Sequence, residues 1–75
     1  MPRYFFHVHD SEEMIDDVGT ECADQDDARA QAVTAAGEAL KDAGGKFWNS
    51  GDWRTWVTDE SGAIVCALRF SAEKT

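Results

Sequence analysis

The chain predicts an α+β fold in the order β-β-α-β-β: an antiparallel sheet with one helix packed across one face. Three observations lead there. Gln25–Ala43 is rich in strong helix formers, seven of its residues being alanine. Segments of aromatic and β-branched residues with a period of two lie on both sides of that stretch. The two segments after it are joined by four residues, Asp59-Glu60-Ser61-Gly62, which suits a hairpin and no longer crossover.

Residues 4–9, Tyr-Phe-Phe-His-Val-His, form the first strand. Asp10-Ser11-Glu12-Glu13 is a polar turn, Met14–Asp17 returns as a short second strand, and Gly19 breaks it. Asp24 is the helix N-cap, with Asp26 and Asp27 in the first turn where carboxylates favour the helix dipole. Ala28, Ala32, Ala35, Ala36, Ala39, Leu40 and Ala43 make one apolar stripe at spacings of three and four. Gly37 is the one interior blemish, and Gly44-Gly45 supplies the C-cap. Lys46–Gly51 is a connection in which Phe47 and Trp48 either plug the end of the core, the favoured reading, or form an exposed binding loop. Asp52–Asp59 and Ala63–Phe70 are the last two strands, and the polar tail Ser71–Thr75 frays. The whole chain, 1–75, is one small domain with an ordered core of about 3–70.

Alternation assigns the faces. Tyr4, Phe6, Val8, Trp53, Thr55 and Val57 turn toward the helix, with the row Ile64, Cys66, Leu68 and Phe70. Phe5, His7, His9, Arg54, Trp56 and Thr58 turn away, with Ala63, Val65, Ala67 and Arg69. Phe6, Leu68 and Phe70 are expected among the most buried side chains, against Ala32, Ala36 and Leu40.

Composition limits function. Seventy-five residues exclude a multidomain enzyme, and 43% hydrophobic residues with a single proline exclude a disordered chain. A net charge of −8 repels duplex nucleic acid and anionic membrane. No apolar run approaches the roughly 18 residues of a membrane span, and the opening residues lack the apolar core of a signal peptide, so the expected location is the cytoplasm. Cys22 and Cys66 form no metal or redox spacing and are expected as small apolar residues in or near the core.

Few residues point to chemistry. His7 and His9, two apart on one strand face, can present two imidazoles to a metal, with oxygen from Asp16 or Asp17 across the hairpin. Zinc needs three or four such ligands, so two half-exposed surface histidines are the expectation and no metal site is assigned. The carboxylate pairs Glu12-Glu13, Asp16-Asp17 and Asp26-Asp27 lie on turns and a helix start, without the opposed cleft that acid–base catalysis needs. Gly44-Gly45-Lys46 ends a helix, whereas a phosphate loop precedes one. No catalytic residue or cofactor is expected.

The outer sheet face stands above that background. It carries Arg3, Phe5, His7, Arg54, Trp56 and Arg69, gathering three of the four arginines on an acidic protein. Arginine and aromatic side chains together are typical of interaction surfaces. The plainer reading is that the arginine stems merely cover Trp56 and pair with local carboxylates. A single-strand nucleic-acid platform, with bases stacked on Phe5 and Trp56, fits the rings but not the charge.

The opening Met-Pro-Arg-Tyr-Phe-Phe-His-Val-His-Asp, Gly19-Thr20-Glu21, Asp24 with Ala28-Arg29, Ala43-Gly44-Gly45, Trp53, Val57-Thr58-Asp59-Glu60, Gly62 and Leu68-Arg69-Phe70 resemble one family. It is a bacterial family of short acidic proteins, classed as a domain of unknown function, that opens with this Pro-Arg-Tyr-Phe-Phe motif. Members carry Gly after Asp10 and Leu-Pro before the helix, where this chain has Ser11 and Cys22-Ala23. The resemblance implies a compact bacterial cytosolic domain and brings no catalytic or binding residues with it. The expectation is a non-enzymatic cytosolic interaction or regulatory module that binds a partner protein and forms a homodimer. The alternative is a small ligand- or metal-binding module on the same face, using His7 and His9.

Overall fold

The computed structural model describes residues 1–10, 12–50 and 52–73. Ser11 of the expected turn, Gly51 of the connection, and Lys74 and Thr75 of the tail lie outside the described residues. The elements in order are β1 (Arg3–Asp10), β2 (Glu12–Met14), β3 (Thr20–Glu21), α1 (Gln25–Ala43), a 3-10 turn (Gly44–Lys46), α2 (Phe47–Ser50), β4 (Asp52–Thr58) and β5 (Ile64–Ser71). The sheet is antiparallel, in the order β2-β1-β4-β5, and β3 shares the outer edge of β1 with β2. One helix packs across it, as expected.

The helix begins and ends where its signals lie. Asp24 takes extended backbone angles and its carboxylate accepts the N–H of Asp27 at 2.8 Å. Gly44, at φ 53°, closes the other end and donates to the carbonyl of Leu40. The connection after it continues as a 3-10 turn and the short α2, leaving Phe47 half-buried and Trp48 49% exposed. Trp48 is therefore exposed rather than the core plug expected, and of the pair only Phe47 is half-buried.

The second strand lies earlier than expected. Glu12–Met14 pair with Val8–Asp10, and Asp16 instead turns its side chain back on β1. That exchange has a physical reason. Between the stretches paired to β2 and β3, the Phe6 N–H points out of the sheet edge, and the Asp16 carboxylate accepts it at 3.1 Å. A buried backbone donor needs such a partner. The pairing of Thr20–Glu21 with Arg3 and Tyr4 follows from the return of that loop.

The β4–β5 hairpin closes on Asp59, whose Oδ1 accepts from the Ser61 hydroxyl and from the Ser61 and Ala63 N–H groups. Those bonds, the Ser61 hydroxyl first, hold the carboxyl below its usual pKa. The register then shifts at Val57/Thr58, where Val57 faces Cys66 but Thr58 faces Ile64. This bulge reverses two expected directions: Val65 packs against the core, while Ile64 shares the outer side of Thr58 and is 66% exposed. The pairs beyond it, Thr55 with Leu68 and Trp53 with Phe70, keep the expected phase.

The core lies beneath α1 and along β4. Tyr4, Cys22, Ala28, Ala32, Ala36, Trp53 and Val57 are buried, with Thr55 satisfied by a 2.6 Å bond to the His7 carbonyl. Phe6, Leu68, Phe70 and Leu40 are only half-buried, which corrects the expected ranking. A single helix is about 10 Å wide, whereas four strands at about 4.8 Å spacing span more than that. The helix contacts β4 and β5, so β4 is sealed and residues at the margins stay partly open.

Candidate interaction surface

Two sides of the sheet differ in cover. Toward α1, an open groove of about 250 Å³ runs between helix and sheet, lined by Phe6, Asp16, Thr20, Gln31 and Ala35. Away from α1, no helix covers the sheet among the described residues, and its side chains meet in cross-strand rows. One row runs Glu13, His9, Arg54, Arg69, and the next His7, Trp56, Ala67.

Arg54 and Trp56 stand two apart on β4, so the pleat places both on this face. The Arg54 guanidinium carbon lies 5.0 Å from the Trp56 ring centroid, a cation–π stack. Among the described residues Arg54 forms no ion pair. Its positive charge remains open to solvent beside an indole. Arg69, its cross-strand neighbour, is occupied: Nε and Nη2 donate to the two Asp52 oxygens at 3.3 and 3.2 Å. The Arg69 hydrogen bond is the main reason the Asp52 carboxyl titrates low, and the same pairing raises the Arg69 pKa.

His7 is not the half-exposed surface residue the alternation implies. It is 7% exposed, with its ring 5.2 Å from Trp56 at a tilt of 37°. Its Nδ1 accepts the Asp16 N–H at 3.1 Å, and Nε2 lies 2.9 Å from the Thr58 hydroxyl. The Nδ1 bond assigns the proton to Nε2, which donates to Thr58. Both ring nitrogens are thus in use, and His9 stands exposed apart from any such network. Asp16 is equally committed: Oδ2 accepts from Phe6 and Oδ1 from Val18 and Gly19. Burial opposes its charge, but the Gly19, Phe6 and Val18 N–H donors outweigh it, and the carboxyl sits below its usual pKa. Among the described residues, no three metal-ligating side chains converge.

Arg3 serves the loop rather than the open face. Its Nη1 donates to the Val18 and Gly19 carbonyls at 2.9 and 3.3 Å, and Nη2 lies 3.6 Å from Glu21. Gly19 packs between Arg3 and Phe5, and Phe5 is half-buried. Of the six residues assigned to the face by alternation, Arg54, Trp56 and Arg69 form one cluster, in which the two arginines are exposed and Trp56 is half-buried. His7 supports Trp56 from below, and Arg3 and Phe5 hold the Asp16–Gly19 loop. Sequence reasoning missed Asp16 and Gly19 as the parts that organise this edge; the positive φ of 79° at Gly19 is the feature its residue type allowed one to suspect.

Cys22 is fully buried, with its thiol pKa raised by burial and then by Asp27, and Cys66 is half-buried. Both are free thiols in or beside the core, as expected. No helix is long and apolar enough to cross a membrane among the described residues.

A family model for a domain of unknown function, DUF6894, matches residues 3–71. The chain belongs to this family. The match opens at the first residue of β1 and closes at the last of β5, so the DUF6894 domain comprises the whole sheet and its helix. Neither the curated proteins nor the solved structures contain a match.

Proposed function

We propose that this DUF6894 chain is a non-enzymatic, cytosolic interaction or regulatory module that self-associates and holds a partner protein on its outer sheet face. The observation carrying this reading is the open Arg54–Trp56 stack. A guanidinium without a carboxylate partner, laid on an indole, is retained on a chain of net charge −8. A merely solvated sheet face favours Lys, Glu and Thr; an Arg–Trp pair is the residue chemistry of contact centres. The net charge makes an anionic polymer the weaker choice of partner, and a protein surface with an exposed carboxylate the better one.

The test compares Trp56→Ala and Arg54→Ala with the unaltered protein. Circular dichroism should show both folded. Truncation of a contact-centre residue costs about 2 kcal/mol or more, so partner affinity should fall at least tenfold. Titration with single-stranded DNA at low salt runs alongside; tight binding lost in both variants would replace the protein partner with a nucleic acid. Unchanged partner binding in both variants would remove the reading.

A further inference from the structure

We infer that β5 is the edge through which two copies of this chain associate, pairing antiparallel about a two-fold axis with their α1 flanks meeting beside it. This deepens the self-association in the reading above and specifies a different surface from the Arg54–Trp56 stack.

The two edges of the sheet are built differently. The β2/β3 edge is short and acidic: three residues with Glu12 and Glu13, then two with Glu21. Asp16 fills the gap between them. Short, charged edges are how sheets avoid joining one another. By contrast β5 runs eight residues, IVCALRFS, with no acid, lysine or proline. Its open backbone groups follow from the register. The Phe6 N–H points away from β4, toward Asp16, so its partner Val57 turns its own groups toward β5. Alternation then turns Leu68 and Phe70 inward to β4, and Ala67 and Arg69 outward.

A second observation falls on the same margin. Gln31 and Ala35 of α1 line the groove beside Phe6 of β1. At about 100° per residue, Val33, Gly37 and Leu40 lie on the opposite flank, above β5. Val33 is 60% exposed, Leu40 is half-buried, and a Cβ added at Gly37 would meet nothing within 4 Å. Nothing inside the monomer explains a glycine there, yet it lets a second helix come close. Leu68 and Phe70 are half-buried on this margin too. The acid on the flank, Asp26, is already paired with Arg29 at 3.0 Å.

Area and charge favour a second copy. The chain exposes 5174 Å². Compact monomers of 8.3 kDa expose about 4,600 Å², and that excess of roughly 600 Å² approaches the ~800 Å² one partner contributes to a standard interface. On an acidic chain, the strand without acids is where identical molecules approach with least repulsion. An axis through Leu68 sets Ala67 opposite Arg69 of the second copy, which keeps the like-charged guanidinia apart and stacks the two Leu68 side chains beneath the helices.

Sedimentation equilibrium of the full chain tests this, with Ala67→Pro and Gly37→Glu. Proline at Ala67 removes an outward N–H that β4 does not use, and Glu at Gly37 improves helix propensity while blocking helix approach. The wild type should dimerise. Each variant should weaken the dimer at least tenfold, a loss of about 1.4 kcal/mol, with unchanged circular dichroism. The Arg69 amide should exchange slowly in wild type and fast in Gly37→Glu. A wild type that stays monomeric to millimolar concentration overturns the inference and the self-association with it, leaving partner binding on the outer face standing. A dimer that survives both variants but is lost in Trp56→Ala overturns the edge alone.

Discussion

Gly19→Ala perturbs the edge loop that Arg3 and Asp16 hold together. At φ 79° the backbone is left-handed, which costs an L-residue about 1–2 kcal/mol. Space is the second penalty: a Cβ would stand 2.7 Å from Arg3 Cγ and 2.9 Å from Phe5 Cε1. Both neighbours are themselves pinned, Arg3 by the Val18 and Gly19 carbonyls and Phe5 by its place in β1. Displacing Arg3 weakens hydrogen bonds whose net contribution is about 1 kcal/mol. The expected loss is about 2–3 kcal/mol, and for a domain this size that lowers the melting temperature by about 10–20 °C. Gly62→Ala is the control. Gly62 has φ 89° but nothing within 4 Å of an added Cβ, so it should show the backbone penalty alone. Thermal denaturation by circular dichroism reads both. Equal losses in the two variants would refute the claim that Arg3 and Phe5 close over Gly19.

Val57→Ala should cost more than Leu68→Ala in urea denaturation at concentrations below association, despite removing less side chain, because Val57 is fully buried and Leu68 half-exposed. The reverse order would place the core under β5. Asp16, Asp52 and Asp59 have depressed folded pKa values, so their stabilisation is complete above the unfolded value of about 3.9 and is lost as pH falls through the folded one. Melting temperature should therefore drop below about pH 4, and less steeply in Asp16→Asn; stability that rises there contradicts the carboxylate roles. Zinc should move the melting temperature by no more than about one degree, since only preferential binding to the folded state stabilises it. A zinc stabilisation that disappears in His7→Ala would revive the metal reading.

Local signals explain which parts of the fold were legible. The α1 boundaries coincide with Asp24 and Gly44 because capping is a contact between near neighbours in sequence. The phase of β1, β4 and the second half of β5 follows alternation, which needs only the pleat. What escaped depends on distant partners. The bulge at Val57/Thr58 has no residue-type signature, so Ile64 and Val65 exchanged places. Asp16 looks like any turn carboxylate until the Phe6 N–H is seen to need an acceptor. His7 follows the outward phase correctly, yet Trp56 and the Asp16 loop bury it. For the candidate surface, alternation found Arg54, Trp56 and Arg69 together. It could not tell that Asp52 neutralises Arg69, nor that Arg3 is spent on loop carbonyls.

The outer face is tested most directly by quantitative recovery of interacting proteins from the native cell, using tagged wild type and Arg54→Ala as paired baits. Arg54 is exposed, so its truncation should leave the melting temperature nearly unchanged. A partner enriched by the wild type should fall at least tenfold on Arg54→Ala, a loss of about 1.4 kcal/mol. Equal recovery by two equally folded baits would contradict the assignment and reduce the Arg54–Trp56 stack to a solvated pair.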